Sequence, residues 1–349
     1  MTDRLRVAVV GAGGWGEQHA RIFSRRPDTD LVAVVSRSAE RAAARAAAYG
    51  STPYTDVAEM LARAEPDLVT VCLPNEQHFD TTLQLVRAGV PLLVEKPLVF
   101  DLGEADLLLE EAARRELFFA INFNHRFSEP VLRAKAAIDA GEIGEPVFAV
   151  WRFGGEANHG TSRHANLIET QCHGFDMLEH LVGPIASVAA QMTDKTYGDW
   201  STVALALEFE NRAVGTMLGS YDSSYAYPDT QLVEINGTEG RLVLRDTVRE
   251  LSIHRAGDDV ARVWRAGYFD DEAREFHRTF DRHVERVLAA LREGRQPPVH
   301  ARAGRRALLL ATSAIRSQET GMRTAVAGWA RGRPARAGAT RGRRWGVPA

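Results

Sequence analysis

The chain has 349 residues, of which 45% are hydrophobic and 26% charged, and this length suits two domains of about 100 to 200 residues each. Two cysteines, no leader-like start and no run near ~18 apolar residues argue against a disulfide-built secreted or membrane protein, so we expect a soluble cytoplasmic protein with no membrane contact. The net charge is −3, and residues 1–330 alone carry −9 because residues 331–349 hold six arginines and no acid, so nucleic acid is not an expected partner.

Residues 1–123 alternate short apolar runs with helical patterns. The apolar runs are continuous rather than alternating, which is typical of parallel strands covered on both faces. They predict strands at Leu5–Val10, Leu31–Val35, Leu68–Leu73, Pro91–Val94 and Leu117–Ile121, and helices at Trp15–Arg26, Ala39–Tyr49, Val57–Arg63, Glu76–Ala88 and Leu102–Arg115. We therefore expect an α/β protein whose N-terminal domain, residues 1–123, is a Rossmann doubly wound parallel sheet.

A glycine-rich turn joins the first predicted strand to the first predicted helix. In the sequence Gly11-Ala-Gly13-Gly14-Trp15-Gly16, Gly11 permits a tight turn and Gly13 lets backbone N–H groups approach a pyrophosphate. Gly16 lets helix and strand pack closely, while Gly14 and Trp15 would also contact the cofactor. The alternative is a plain glycine turn, but the strand-turn-helix context favours dinucleotide binding.

The end of the second predicted strand bears on which dinucleotide binds. An NAD-binding domain usually places Asp or Glu there, on the ribose 2′-hydroxyl. This chain has Ser36, Arg37 and Ser38, with Arg41 one turn further on. An arginine can pair with a 2′-phosphate, so NADP(H) is favoured and NAD(H) is the alternative, since an arginine at this position can also be a surface cation.

Glu95-Lys96-Pro97 follows the fifth predicted strand at its carboxyl end, which is the edge where doubly wound sheets bind ligands. Pro97 restrains Lys96 to an extended backbone, so the lysine side chain is aimed in one direction. Lys96 is therefore either a surface cation or a group that shares a proton with a substrate hydroxyl beside the nicotinamide.

The pattern changes after residue 124. A helix at Pro130–Ala140 precedes runs that mostly alternate apolar with polar residues, which is typical of antiparallel strands with one exposed face. These runs predict strands at Pro146–Phe153, Ser187–Met192, Val203–Glu210, Ala213–Ser220, Gln231–Ile235, Arg241–Leu244 and Glu250–His254, and helices follow at Glu272–Glu293 and Ala301–Thr320. We expect a C-terminal α+β domain at residues 124–330, whose large open sheet binds substrate and forms a homodimer or homotetramer. Residues 331–349 are expected to be a disordered, arginine-rich tail.

A third informative stretch is the predicted helix from Asn166 to Gly183. Glu169, His173, Asp176 and His180 lie at i, i+4, i+7 and i+11, so they form one stripe. A carboxylate one turn before a histidine can orient its ring, yet the same stripe could be a solvated face or a buried hydrogen-bonded pair. A single metal ion could not bind the whole stripe, which spans ~16 Å of helix, and we expect no metal.

These motifs together resemble the Gfo/Idh/MocA family of oxidoreductases, and the resemblance covers residues 5–325. The carriers are Gly11–Gly16, Leu73-Pro74-Asn75 with His78, Glu95-Lys96-Pro97, Asn122–Phe127, Gly141–Glu145 and His173-Gly-Phe-Asp176 with Leu181-Val-Gly183.

The resemblance implies roles for individual residues. Lys96 would be the active-site lysine and His173 the acid/base at the alcohol oxygen, with Glu169 in place of the Asp that usually precedes this histidine by four residues. Further cofactor contacts would come from Leu73, Pro74, Asn75, His78 and Glu95. Arg126 would meet the nicotinamide or else brace the domain junction, and Asp176 would be a structural partner.

Substrate contacts are expected from the polar loop at residues 154–164, where Asn158, His159 and Arg163 join Lys96, Glu169 and His173. The alternative is an ordinary mobile connection. The run Tyr221–Tyr227 could stack on a sugar ring or simply cover the sheet.

The expected reaction is hydride transfer between nicotinamide and a CH–OH or C=O carbon of a small polyhydroxylated molecule: a sugar, cyclitol, aminocyclitol or sugar nucleotide. His173 would remove the hydroxyl proton, and Lys96 would stabilise the developing charge. Two alternatives remain open. One is a redox-neutral enzyme that oxidises and then re-reduces a glycoside, and the other is a non-catalytic NADP-sensing regulator, which would need neither Lys96 nor His173.

Overall fold

The computed structural model describes residues 4–74, 77–155, 162–195 and 199–326. These residues form two β-sheets with helices around them. The first sheet contains β1 (Leu5–Val10), β2 (Thr29–Val35), β3 (Thr52–Tyr54), β4 (Leu68–Val71), β5 (Leu92–Val94) and β6 (Phe119–Ile121). The second contains β7 (Pro146–Gly154), β8 (Ile185–Thr193), β9 (Thr202–Phe209), β10 (Val214–Ser220), β11 (Gln231–Gly237), β12 (Gly240–Arg245), β13 (Glu250–Arg255), β14 (Ala261–Arg265) and β15 (Thr324–Ala325).

The helices of the described ranges surround both sheets. They are α1 (Gly14–Arg25), α2 (Ala39–Tyr49), α3 (Val57–Ala64), α4 (His78–Ala88), α5 (Leu102–Arg114), α6 (Glu129–Asp139), α7 (Cys172–Leu181), α8 (Asp271–Arg274), α9 (Arg278–Arg292) and α10 (Arg302–Thr320), with a 3-10 turn at Asn124–Phe127 and a π-helical turn at Asn166–Thr170. Within the described parts of the chain, no helix is long and apolar enough to cross a membrane.

The first sheet is parallel throughout, in the order β3-β2-β1-β4-β5-β6. The residues of β4, β5 and β6 are all buried, as expected for strands covered on both faces. This confirms the predicted doubly wound class. β3 was not predicted because its three residues are exposed or half-buried and include a proline, so they show no apolar pattern.

The second sheet has the order β14-β13-β12-β11-β7-β10-β9-β8-β15. Its described pairings are antiparallel except for β7 with β10, so the predicted large, mostly antiparallel sheet is confirmed. The two outermost strands were not predicted. β14 is largely exposed and β15 has two residues, so neither carries the alternation that identifies a half-buried strand.

The helix predicted at Glu272–Glu293 is two helices. α8 ends at Arg274, the next residue, Glu275, has an extended backbone, and α9 begins at Arg278. Between them the Phe276 ring lies edge-on to His125, with ring centroids 5.2 Å apart. This contact brings the start of α9 against the 3-10 turn that follows β6.

α7 lies on the inner face of the second sheet. Gly174 makes this packing close, because a Cβ at this position would be 2.5 Å from Trp151 Nε1 on β7. Gly219 on β10 plays the same part, because a Cβ there would be 2.3 Å from Gln171. Two glycines facing larger side chains therefore bring the His173 helix down onto the sheet.

Candidate active site

Two cavities meet at the carboxyl edge of the first sheet. A groove of about 420 Å³ follows the glycine turn, and a cavity of about 600 Å³ lies between the two sheets. Trp15, Glu95 and Lys96 line both of them. The residue predicted to handle a proton therefore stands where the two cavities join.

The glycine turn is shaped for a bound phosphate. Gly11 has φ +123°, and a Cβ there would be 2.2 Å from the Cys72 carbonyl oxygen, while a Cβ at Gly16 would be 1.9 Å from the Gly11 oxygen. In contrast, a Cβ at Gly13 or Gly14 would meet no atom within 4 Å. Both of these positions line the groove at the N-terminus of α1, so backbone N–H groups are open to an anion. The site thus fits a dinucleotide pyrophosphate.

Most of the predicted cofactor residues line this groove. They are Gly11, Gly13, Gly14, Trp15, Ser36, Arg37, Ser38, Arg41, Leu73, Pro74, Glu95 and Lys96. Gly16 is buried behind the turn and serves the packing of α1 on β1, and Asn75 lies outside the described residues.

Two predicted cofactor contacts are corrected by the structure. His78 begins α4 with its side chain buried at 1% exposure, and it does not line the groove. Burial lowers the pKa of His78, so the ring is a neutral packing group. Arg126 also lies away from the lining of both cavities.

Arg126 forms an ion pair within residues 124–330, just past the predicted domain limit, and its alternative role as a brace of the domain junction stays a prediction. Its Nε donates to Asp176 Oδ2 at 2.7 Å and its Nη2 to Asp176 Oδ1 at 2.5 Å. Burial raises the pKa of Asp176, and the charge of Arg126 opposes this rise. Because the guanidinium and the carboxyl group form two parallel hydrogen bonds, the pair is an ion pair with an ionised carboxylate. The pair ties the 3-10 turn after β6 to α7.

Glu95, the residue before Lys96, is a buried carboxylate in the lining of the cofactor groove. It is 4% exposed, and its Oε1 accepts hydrogen bonds from His19 Nε2 at 2.8 Å and Asn122 Nδ2 at 2.7 Å. Burial opposes ionisation most strongly, but the hydrogen bonds and charges of His19, Asn122 and Lys96 together outweigh it and lower the pKa of Glu95. Burial likewise opposes the charge on His19, yet its contacts with Cys72 and Glu95 raise the pKa of His19 to about 10. A buried anion is therefore fixed next to the lysine.

His19, Cys72 and Glu95 also place three potential metal-ligand atoms within 4.8 Å of one another. The hydrogen bonds account for this group without an ion. His19 bonds Glu95 through Nε2 and Thr70 through Nδ1, at 3.1 Å, so both ring nitrogens are already engaged. The absence of a metal stays a prediction.

Lys96 is held at the opening between the groove and the cavity. Its Nζ donates to the backbone oxygen of Glu169 at 3.0 Å. The structure therefore brings Lys96 and Glu169 together as predicted, although the bond uses the main chain and leaves the lysine's other two N–H groups for further partners.

His173 lines the cavity, and the residue is 6% exposed. Nδ1 is buried without a hydrogen-bond partner in the described structure, so the ring presents Nε2 to the cavity. It stacks on His125, with ring centroids 4.0 Å apart and planes 12° from parallel. Burial, and then the charges of His125 and Lys96, lower the pKa of His173 well below its usual value, so the imidazole is neutral near pH 7.

Glu169 does not hold the His173 ring through Nδ1, because this nitrogen has no hydrogen-bond partner in the described structure. The cause is the backbone. Glu169 belongs to the π-helical turn and His173 to α7, so the two residues are not one regular α-helical turn apart. The stripe predicted from i, i+4 spacing therefore breaks at this point.

The predicted substrate residues separate into three groups. Lys96 and His173 line the cavity, while Glu169 lines the cofactor groove. Asn158 and His159 lie outside the described residues. Arg163 is corrected: it is exposed, pairs with Asp194 at 3.2 Å, and lies 4.2 Å from the Trp200 ring centre, away from both cavities.

The aromatic run after β10 contributes to the cavity. Tyr225 and Tyr227 line it, and both are more than half exposed, while their stacking on a sugar ring stays a prediction. Tyr221 instead shares a 2.8 Å hydrogen bond with Thr170.

Sequence reasoning missed several lining residues. His125 stood inside a recognised motif but was assigned no role, and Gln231 and Thr247 belong to strand and turn segments with no local signal of function. Phe276 and Phe280 fell within the helix predicted at Glu272–Glu293 and were assigned no role, yet they line the cavity, with Phe280 stacked on Trp15 at a centroid distance of 5.3 Å. Only the packing of distant segments brings these side chains together.

Comparison with known proteins agrees with this geometry. Two family models match the chain: an oxidoreductase family with an NAD-binding Rossmann fold over residues 5–123, and the GFO/IDH/MocA C-terminal domain over residues 131–243. The inositol 2-dehydrogenase of Rhizobium meliloti is 29% identical over 335 residues, which cover 90% of this chain and 96% of the relative. The scyllo-inositol 2-dehydrogenase (NAD(+)) of Bacillus subtilis is 27% identical over 316 residues, covering 86% and 90%. A levoglucosan dehydrogenase in complex with NADH and levoglucosan shares the fold, with a TM-score of 0.84 at 20% identity, covering 93% of this chain and all of the other.

Proposed function

Because the chain belongs to the GFO/IDH/MocA family of oxidoreductases, we propose that it is an NAD(P)-dependent dehydrogenase or reductase acting on a CH–OH group of an uncharged sugar or cyclitol. The observation that carries the proposal is the position of Lys96, which lines both the phosphate-binding groove and the cavity faced by His173. The inositol dehydrogenases among its relatives support the substrate class.

The charge of the cavity supports an uncharged substrate. Among the described lining residues, Lys96 is the sole cation, whereas Glu95 and Asp246 are carboxylates. The stacked His125 and His173 rings are neutral near pH 7, because burial lowers the pKa of each. Both acids are paired with cations behind the lining, Glu95 with His19 and Asp246 with Arg249. A phosphate or carboxylate on the substrate would therefore meet a single described cation, Lys96, and no cluster of arginines, so a neutral polyol is the better match.

Lys96 and His173 divide the chemistry of the alcohol oxygen between them. Neutral His173 accepts the hydroxyl proton at Nε2 during oxidation, and the Lys96 ammonium donates a hydrogen bond to the same oxygen as negative charge develops. Glu95, held by His19 and Asn122, keeps a compensating anion beside the lysine. The nicotinamide, when bound, takes up or supplies the hydride.

We propose NADP(H) as the preferred cofactor, with NAD(H) as the alternative. Ser36, Arg37, Ser38 and Arg41 line the end of the groove where the adenine ribose would lie, and no described acid lines it there. A guanidinium and two hydroxyls suit a 2′-phosphate, whereas a carboxylate would repel it.

The proposed assembly is a homodimer or homotetramer formed through the outer face of the second sheet. Phe148, Val214 and Leu218 on neighbouring strands β7 and β10 are 36%, 55% and 40% exposed. An apolar sheet face of this kind is a usual protein contact. We place the domain limits at residues 123 and 330, with the substrate domain between them.

A substrate panel tests the activity. Purified protein is assayed with inositols, free sugars, levoglucosan and sugar nucleotides, using NADP⁺ and NAD⁺ in turn and following the absorbance of reduced nicotinamide. We expect turnover of a neutral polyol, faster with NADP⁺, and loss of turnover in Lys96→Ala and His173→Ala but not in the surface variant Lys135→Ala. Turnover only of charged sugar nucleotides would overturn the substrate class, and product without net reduction of cofactor would indicate a redox-neutral reaction instead.

A further inference from the structure

A chain of buried hydrogen bonds reaches the substrate cavity from its far side. The Thr247 hydroxyl donates to Gln231 Oε1, and Gln231 Nε2 lies 3.2 Å from His125 Nδ1. All three residues line the cavity, and each is 5% exposed or less. None of them takes part in the proton transfer described above.

The direction of these hydrogen bonds determines which ring nitrogen of His125 carries the hydrogen. Because Gln231 Oε1 accepts from Thr247, the amide NH₂ group must face His125. Nδ1 of His125 is then an acceptor, so a neutral ring has its hydrogen on Nε2. The ring is neutral because burial, and secondly the Lys96 charge, lower the pKa of His125 to about 3.

The backbone that supplies the Thr247 hydroxyl is strained. Asp246 and Thr247, in the turn between β12 and β13, have φ +47° and +54°. The left-handed region is uncommon for residues other than glycine, and it is an outlier for a β-branched residue such as threonine. Strain of this kind clusters at ligand sites. Two hydrogen bonds to Gln231 offset this strain. Asp246 Oδ1 accepts from the Gln231 backbone N–H at 3.2 Å, and the Thr247 hydroxyl donates to the Gln231 side chain.

His125 and His173 then offer complementary groups from two stacked rings. Their centroids are 4.0 Å apart, and Nδ1 of neither ring is open to the cavity, since that of His125 is bonded to Gln231 and that of His173 is buried. His125 therefore offers Nε2–H as a donor, and His173, the base of the proposed oxidation, accepts at Nε2. Two such groups side by side match two oxygens on adjacent carbons. The acceptor takes the hydroxyl that is oxidised, and the donor binds its neighbour.

We propose that the Thr247–Gln231–His125 chain fixes His125 as a hydrogen-bond donor to a second substrate oxygen, vicinal to the reacting hydroxyl, so that the enzyme selects vicinal diols. This inference rests on the proposed function and adds a substrate requirement to it. His125 is a recognition residue, and Gln231 and Thr247 position it.

The first experiment needs no substrate. Protein labelled with ¹⁵N-histidine is examined by NMR, in which protonated and bare ring nitrogens have distinct shifts, and His125→Phe assigns the signals. We expect His125 in the Nε2–H form in wild type and in Thr247→Ser, and a loss of this single form in Thr247→Val, which has the same shape without the hydroxyl. Hydrogen on Nδ1 in wild type would overturn the proposal, because the chain would then run in the opposite direction.

The second experiment measures the vicinal requirement with myo-inositol and its monodeoxy analogues. We expect Thr247→Val and His125→Phe to raise KM for myo-inositol about 3- to 10-fold with a smaller change in kcat, as for one lost neutral hydrogen bond. Both variants should raise KM for the analogue that lacks the neighbouring hydroxyl by a clearly smaller factor, and Thr247→Ser should keep the wild-type ratio between the two substrates. Equal effects on both substrates would refute recognition by His125. If wild type oxidises no polyol, the proposed substrate class fails, while the NMR result still decides the direction of the chain.

Discussion

The glycine turn offers a prediction that separates cofactor binding from folding. Gly13 is the N-cap of α1 with φ −78° and ψ −170°, a conformation open to any residue, and its Cβ would point into the empty groove. Alanine at this position reduces the entropy of the unfolded chain, which stabilises the folded protein by about 0.4–1 kcal/mol. Alanine is also a poorer helix N-cap than glycine by a similar amount, so the two effects nearly cancel. The free energy of unfolding of Gly13→Ala should therefore lie within about 1 kcal/mol of wild type.

Cofactor affinity should respond differently. The added methyl group occupies the space from which backbone N–H groups would reach the pyrophosphate. A hydrogen bond to a charged group contributes about 1.5–3 kcal/mol, so one displaced bond weakens binding about 10- to 150-fold.

Gly16→Ala is the matched control, since its Cβ would be 1.9 Å from the backbone oxygen of Gly11. Because the backbone at Gly11 and at Gly16 is held by the surrounding structure, Gly16→Ala should lower the free energy of unfolding by at least about 1–3 kcal/mol. Urea unfolding and titration of NADPH fluorescence measure the two properties in each variant. The reasoning would be refuted if Gly13→Ala bound NADPH like wild type, or if it lost as much stability as Gly16→Ala.

Three further predictions concern the cofactor, the buried histidines and the Arg126–Asp176 pair. Arg37→Asp should raise KM for NADP⁺ about 10- to 150-fold and leave KM for NAD⁺ nearly unchanged, and an unchanged NADP⁺/NAD⁺ ratio would remove the 2′-phosphate contact. Burial lowers the pKa of His283 to about 3, below its value of 6.5 in the unfolded chain. The unfolded chain therefore binds an extra proton in this range, and the free energy of unfolding falls as pH drops from about 6.5 toward 3. In urea unfolding, His283→Gln should lessen this loss by up to about 1.4 kcal/mol per pH unit, and a pH dependence identical to that of wild type would contradict the assignment. Asp176→Asn should cost about 3–5 kcal/mol, because it leaves the largely buried Arg126 without its anionic partner. Asp139→Asn, in a more exposed pair, should cost about 0–1 kcal/mol, and equal losses would show that the Arg126–Asp176 pair does not brace the fold.

The parts of the site that local sequence specifies were predicted well. Gly11 and Gly16 have roles set by backbone geometry within one turn, so the motif alone identified them. Lys96 follows β5 directly, and its position at the sheet edge is a consequence of strand order. The doubly wound class followed from continuous apolar runs.

The parts that depend on tertiary packing were not predictable. A π-helical turn moved Glu169 off the His173 stripe, and nothing in the spacing of the residues signals that turn. Gln231 and Thr247 reach His125 across 106 residues or more of sequence, because β11 and β12 pair beside the cavity. Arg163 was assigned from loop composition, which does not tell the direction of a side chain.

The central claim is that Lys96 and His173 act on one oxygen atom, and a double-mutant cycle tests it most directly. kcat/KM for the polyol oxidised fastest in the panel is measured for wild type, Lys96→Met, His173→Gln and the double variant. Groups that act as a unit show strongly non-additive losses, so we expect the double variant to be little worse than the poorer single variant. Losses that multiply, or a single variant with wild-type turnover, would contradict the claim.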